Sequence, residues 1–201
     1  DGSTWCWGHN NYGQLGDSTT TQRRRPTRVM GLDAMVEVAT GLNHSCARNE
    51  AGAIYCWGAN AFNQLGDGTR VARRVPVRSH EIAGVTDLKL TYDHSCAATA
   101  SGSVLCWGID RYGEAGGDGQ AGVRQKPEPV HGLEPSRQVV VGMSHSCSVS
   151  DAGNVRCWGR GAYGSLGDLG LDASSGDPAA VIGLMEPAVR LAAGGYHTCA
   201  R

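Results

Sequence analysis

Eight cysteines and four of the seven histidines stand in one recurring arrangement. His-Ser/Thr-Cys occurs at His44 to Cys46, His94 to Cys96, His145 to Cys147 and His197 to Cys199, and Cys-Trp-Gly begins at Cys6, Cys56, Cys106 and Cys157. Zinc binding, disulfide formation and nucleophilic catalysis all use such residues. Zinc fails on spacing, because structural sites are built from close C-x₂₋₄-C pairs and none exists here. Catalysis lacks its signatures: no G-x-S-x-G, G-x-x-x-x-G-K-S/T or H-E-x-x-H occurs. A histidine repeated at the start of a strand reads as a hydrogen-bonding post, and Trp7, Trp57, Trp107 and Trp158 read as core slabs. Asp17, Asp67 and Asp168 follow Leu-Gly and read as turn residues that bond their own backbone. No metal and no cofactor are expected.

The cysteines suit disulfides once the local structure is counted out. In SCARNEAGAIYCW, SCAATASGSVLCW and SCSVSDAGNVRCW, a three-residue loop ending at Gly52, Gly102 or Gly153 makes a hairpin whose last loop residue is left-handed. With Glu50-Ala51-Gly52 as the loop, Arg48 falls opposite Ile54, Ala47 opposite Tyr55, and Cys46 opposite Cys56. The same count sets Cys96 against Cys106 and Cys147 against Cys157. Directly opposed strand residues lie close enough to bond; the alternative is eight buried thiols acting as small hydrophobes. Cys6 and Cys199 carry the two halves of a fourth hairpin, pairing within one chain or between two. Disulfides persist in oxidising compartments, so the expected location is extracellular, periplasmic or on a cell surface. Nothing at the N-terminus reads as an export signal, so any such signal has been removed or was never in this chain.

The elements that must position these residues repeat with them. Cys-Trp-Gly recurs at spacings of 50, 50 and 51 residues, and WGHNNYGQLGD, WGANAFNQLGD, WGIDRYGEAGG and WGRGAYGSLGD keep the same phase. Four units, about 1–50, 51–100, 101–151 and 152–201, fill the chain as one domain. Alternating apolar pairs (Val36 and Val38, Leu88 and Leu90, Val139 and Val141, Val189 and Leu191) precede each histidine and predict half-buried strands. Gly13, Gly113 and Gly164 occupy a turn position where the second copy has Asn63, which indicates positive φ. The fold class is therefore all-β, a propeller of four blades. Its ring is partial, self-closing, or half of an eight-bladed dimer.

The 201 residues include 30 glycines and carry a formal net charge of −1. That balance excludes a global field for nucleic acid or anionic membrane, and no apolar run is long enough for a transmembrane helix. Charge is nevertheless local. Basic residues follow the G-D turn in three copies, at Arg23, Arg24, Arg25 and Arg28, at Arg70, Arg73, Arg74 and Arg78, and at Arg124 with Lys126; the fourth copy has none. Of these, Arg23, Arg24, Arg25, Arg73, Arg74 and Arg124 are the candidate binding residues, a basic arc facing an acidic protein, polysaccharide or phosphate-bearing surface. The other reading is that they are solvated loop charges.

The unit G-x-x-H-S/T-C-A…G-x-x-x-C-W-G-x-N-x-x-G-Q-L-G-D resembles the repeat of the regulator of chromosome condensation family, over essentially the whole chain. The resemblance implies a β-propeller, usually seven-bladed, on which exchange factors for a small GTPase, a plant photoreceptor and a secreted enzyme inhibitor have all been built, so it does not assign a function. The paired cysteines resemble exported, bacterial-type versions. The repeats leave no room for an exchange factor's inserted wedge, and Trp5 is the single tryptophan outside the Trp-Gly slot. The expectation is a non-enzymatic exported scaffold that binds a protein or glycan through its loop face. The alternative is a building block that assembles end to end, as a homo-oligomer, through its terminal half-hairpins into larger rings or surface fibres, with guanine-nucleotide exchange a weaker third.

Overall fold

The computed structural model describes residues 2–80, 82–117, 122–170 and 173–201. Sixteen strands follow in order. They are β1 (Trp5–Gly8), β2 (Arg23–Arg28), β3 (Met35–Thr40), β4 (His44–Asn49), β5 (Ile54–Gly58), β6 (Arg73–Arg78), β7 (Val85–Leu90) and β8 (His94–Thr99), then β9 (Val104–Asp110), β10 (Gly122–Pro129), β11 (Ser136–Val141), β12 (His145–Ser150), β13 (Val155–Arg160), β14 (Ser174–Ala180), β15 (Leu191–Ala193) and β16 (Thr198–Ala200). Three complete four-stranded antiparallel blades form, β3 to β6, β7 to β10 and β11 to β14. They are flanked by two-stranded sheets, β1–β2 at one end and β15–β16 at the other. By position in the repeat, β1–β2 is the outer half of a blade and β15–β16 the inner half. Blades therefore run out of step with repeats: each is built from the end of one repeat and the start of the next.

The hairpin register is as expected. Arg48 faces Ile54, Ala47 faces Tyr55 and Cys46 faces Cys56, and Gly52 sits at φ 78° with its amide bonded to Asn49 O. A side chain is excluded there twice over, because a Cβ on Gly52 would lie 2.5 Å from the amide nitrogen of Val85 in the next blade. Disulfides Cys46–Cys56, Cys96–Cys106 and Cys147–Cys157 close the three hairpins, with Cα atoms 4.0, 4.1 and 4.0 Å apart. In the chain-entropy account, each contributes about 2–3 kcal/mol. Asn63, at φ 59°, takes the same left-handed turn as Gly13, Gly113 and Gly164.

Three expectations are corrected. Cys6 and Cys199 are not bonded to each other within the chain: β1 pairs with β2, β16 pairs with β15, and these lie in separate sheets, so no hairpin of one chain brings the two sulfurs together. The ring accordingly stays open rather than closing on itself. Cys6 is buried beneath Leu15, Val29 and Leu32, and that burial pushes its thiol up to about 11, whereas Cys199 is exposed. Trp7 is not a core slab. It is 62% exposed while Trp57, Trp107 and Trp158 are fully buried, because among the described residues no blade covers the β1 side. For the same reason Val38 is exposed where its counterparts Leu88 and Val139 are buried, whereas Val36 is exposed as its counterparts Thr86 and Arg137 are.

The core lies between blades rather than within them. Leu65, Ile54 and the Cys46–Cys56 pair pack against Leu88, Ala97 and Trp107 of the next blade, and Val104 with Cys96–Cys106 packs likewise against Val139 and Trp158. A polar ladder stitches the same seams. Trp57 Nε1 and Ser45 Oγ both donate to the Gln14 carbonyl of the preceding half-blade, at 2.8 and 2.9 Å. Trp107 and Ser95 do so to Gln64 O at 2.9 and 3.1 Å, and Trp158 and Ser146 to Glu114 O at 3.1 and 2.9 Å.

Candidate binding face

The histidines settle into this ladder. His44 Nε2 lies 3.0 Å from Ser95 Oγ, His94 Nε2 3.0 Å from Ser146 Oγ, and His145 Nε2 2.9 Å from Thr198 Oγ1. A His–Ser pair at this distance resembles a base beside a nucleophile, but its polarity is the reverse. A carbonyl only accepts, so the Ser95 and Ser146 hydroxyl protons are committed to Gln64 O and Glu114 O, and the imidazoles must donate from Nε2. Nδ1 then carries the lone pair, and in His44 and His94 that atom is buried without a partner. Burial lowers the pKa of His44 and His94 to about 3 and that of His145 to about 4. They are neutral interblade struts. His197, with no further blade beside it among the described residues, is exposed. No group of three or more His, Cys, Asp or Glu side chains suited to a metal occurs among the described residues.

The loop face is organised by the W-G-x-N-x-x-G-Q-L-G-D turn. Asn10 Oδ1 accepts from Leu15 N at 2.9 Å while its amide donates to Asp17 Oδ1 at 3.2 Å. Asp17 also accepts from the Thr19 amide and hydroxyl and, at 2.6 Å, from Arg23 Nε. Asn60, Asp67, Thr69 and Arg73 repeat the arrangement. Burial alone would raise the Asp17 and Asp67 carboxyls, yet the threonine, arginine and asparagine donors together hold both below the usual carboxylate range.

The third blade makes the same charge pair from different positions. Asp110 stands where the Asn does, Gly117 where the Asp does, and Arg124 Nε is 3.8 Å from Asp110 Oδ2. A Cβ on Gly117 would run into Asp110 Oδ2, so the glycine leaves room for the carboxylate in this position. Gly117→Asp alone is expected to destabilise by roughly 2–4 kcal/mol, through a clash and a second buried carboxylate. Adding Asp110→Asn should restore most of the loss in denaturant unfolding. Equal stability of the single and double variants would refute the compensation. In the fourth blade Gly161 replaces the Asn, Ser175 replaces the Arg, and Asp168 accepts from Gly170 N.

These pairs redistribute the candidate arginines. Arg23, Arg73 and Arg124 face Gly8, Gly58 and Gly108, one equivalent position, and each is held by a carboxylate of its own blade. Arg24, Arg25 and Arg74 are exposed and in no ion pair among the described residues.

Sequence reasoning missed the residues beside them. Each turn carries an aromatic before the left-handed residue, Tyr12, Phe62, Tyr112 and Tyr163. Gln14, Gln64 and Glu114 fix the first three by accepting their backbone amides at 3.0, 3.0 and 2.6 Å. Burial raises the Glu114 carboxyl. Cations from the following blade then cover the rings: Arg111 lies 5.8 Å from the Phe62 centroid and Arg160 4.9 Å from that of Tyr112. Tyr163 meets Tyr196 edge-on at 5.6 Å. Arg70 donates to Asn63 Oδ1 at 3.2 Å, and a Cβ on Gly13 would lie 2.8 Å from Arg74 Cα, so Arg74 adjoins the Tyr12 turn. One loop face thus alternates aromatic rings with arginines from blade to blade.

Comparison with known proteins agrees with this architecture. The family model described as the regulator of chromosome condensation (RCC1) repeat matches residues 1–48, 51–98 and 152–201, and a second model of that description matches 35–64, 85–114 and 137–165. Human E3 ubiquitin-protein ligase HERC2 is 46% identical over 48 residues, 23% of this chain and 1% of that protein. Human protein RCC2 is 38% identical over 56 residues, 27% of this chain and 11% of that one. Among solved structures, yeast RCC1 (Prp20) bound to Kap60 superposes with a TM-score of 0.85 at 21% identity, over 98% of this chain and 49% of that one. Human WBSCR16 gives 0.84 at 25% identity over 98% and 54%. The chain therefore spans about half the length of these propellers and a small part of the two curated relatives. With the family's repeat model matched over most of its residues and its blades assembled as in those propellers, this chain belongs to the RCC1 repeat family.

Proposed function

We propose that the protein is a non-enzymatic, exported binding module that engages a protein or glycan through its loop face. The observation that carries this reading is the exposed alternation of aromatic rings and arginines from one turn to the next, on loops fixed by partly buried hydrogen bonds. Exposed aromatic and arginine side chains are the residues that dominate recognition surfaces. The three interblade-packed disulfides support export, because such bonds form and persist in oxidising compartments. The buried imidazoles, spent on interblade bonds, offer no free base, which favours binding over chemistry.

The test is retention of labelled protein on immobilised polygalacturonate, heparin, chitin, cellulose and poly-L-glutamate. At least one surface should retain it. The variant combining Arg74→Ala, Arg111→Ala and Arg160→Ala should lose that retention. Arg28→Ala, which removes an exposed ion pair with Asp33 away from the turns, should keep it. No retention anywhere, or equal retention by all variants, defeats the reading.

A further inference from the structure

We infer that the aromatic–arginine arc is a site for an anionic polysaccharide, whose sugar rings lie on the turn tyrosines while its carboxylate or sulfate groups are taken by the interleaved arginines. This rests on the loop-face reading above and specifies its ligand.

Three features of the arc point there. The first is charge. Arg70, Arg74, Arg111 and Arg160 are exposed along four consecutive turns and none forms an ion pair among the described residues, although the chain as a whole has a formal net charge of −1. Four acids are paired elsewhere: Asp17 and Asp67 with Arg23 and Arg73, Glu37 with Arg48, and Asp87 with Lys89. Asp93, beside Arg111, accepts from the Gln64 amide at 3.0 Å. A guanidinium fork matches a carboxylate or sulfate with two parallel hydrogen bonds.

The second feature is the rings. Tyr12 is 48% exposed with no cation over it among the described residues, and Tyr112 is 39% exposed with Arg160 over its ring. A flat apolar face left open beside cations calls for a ligand with flat apolar faces of its own. The C–H faces of a sugar supply these, whereas an acidic peptide offers charge on flexible stems and leaves the Tyr12 ring uncovered.

The third is repetition. One ring recurs per blade at an equivalent position, and in the first three turns the left-handed residue and a glutamine or glutamate clasp fix the ring's backbone; the arginines beside the rings come from different positions of the repeat. A regular array is suited to a ligand that is itself a repeating polymer. Each unit adds a similar small increment at a cost in ordering that is shared along the chain.

Calorimetric titration with hexagalacturonate and with a heparin hexasaccharide tests this. The controls are methyl-esterified hexagalacturonate, hexaglutamate and a single-stranded dT12. At least one of the two acidic hexasaccharides should bind, more weakly as salt rises. Arg111→Gln and Arg160→Gln should each weaken it roughly tenfold, as loss of a charge-assisted bond does. Tyr12→Ala, which removes an exposed ring and no charge, should weaken it severalfold. The ester, which keeps the rings and removes the charge, should bind at least tenfold more weakly than the acid. The inference is overturned if neither acidic sugar binds, if the ester matches the acid, or if dT12 binds more tightly. It is also overturned if hexaglutamate binds equally well and Tyr12→Ala changes nothing; the loop-face module then survives as a binder of acidic protein. Tight binding that no arginine or tyrosine variant alters would remove both readings together.

Discussion

Lowering the pH from 7 to about 4.5 is expected to unfold the protein, with the buried imidazoles as the principal cause. His44 and His94 titrate at about 3 in the fold and His145 at about 4, against 6.5 when exposed. Between those limits the unfolded chain binds more protons than the native one, so stability is complete above pH 6.5 and is lost as pH falls toward 3. Two pH units below 6.5 correspond to about 2–3 kcal/mol for each histidine. Three such losses at pH 4.5 are comparable with the entire stability of a typical domain. Asp17 and Asp67, held low in the fold, add losses of the same sign at lower pH. Asp93 and Glu114, raised by burial, act in the opposite sense. His94→Gln keeps a donor for Ser146 and cannot be protonated, so its acid midpoint should fall by several tenths of a pH unit in a fluorescence titration. A midpoint that stays put would show that the struts do not govern acid sensitivity.

The second large effect is a contrast within one repeated residue. Trp107→Ala should destabilise the protein by about 3–5 kcal/mol, the cost of emptying a fully buried indole site. Trp107 packs between Leu65, Ile54 and Leu88 and ties its Nε1 to Gln64 O. Trp7→Ala, at the same place in its repeat, should cost less than about 1 kcal/mol, because its ring is 62% exposed. Denaturant unfolding of both variants decides the matter. Comparable losses at the two positions would mean that Trp7 is covered in solution, and that the seam between blades is not what makes this tryptophan valuable.

What could be read in advance was whatever is local to one hairpin. Cys46 opposite Cys56 follows from a loop count, and Asn63 in a left-handed turn follows from the glycines that replace it in other copies. What crosses from blade to blade was hidden. The bonds from His44 to Ser95 and from Trp107 to Gln64 O span about one repeat, and no local pattern announces which neighbour a side chain will meet. The Arg111–Phe62 contact was invisible for the same reason. The pairing of Asp17 with Arg23 and of Asp67 with Arg73 had a signal, an identical six-residue spacing in two copies. The third copy concealed it by moving its carboxylate to Asp110. Reading the arginines as one charged group merged two kinds: those that brace a turn, and those left to face solvent.

The offset between blade and repeat bears on how the chain tolerates cutting. Each hairpin tip, Glu50-Ala51, Ala100-Ser101 or Asp151-Ala152, is exposed and falls where one repeat hands over to the next. Proteases favour such tips. Because the sulfur bond straddles that handover, a nick there severs the backbone without releasing a fragment, and the two pieces stay riveted side by side within a single sheet.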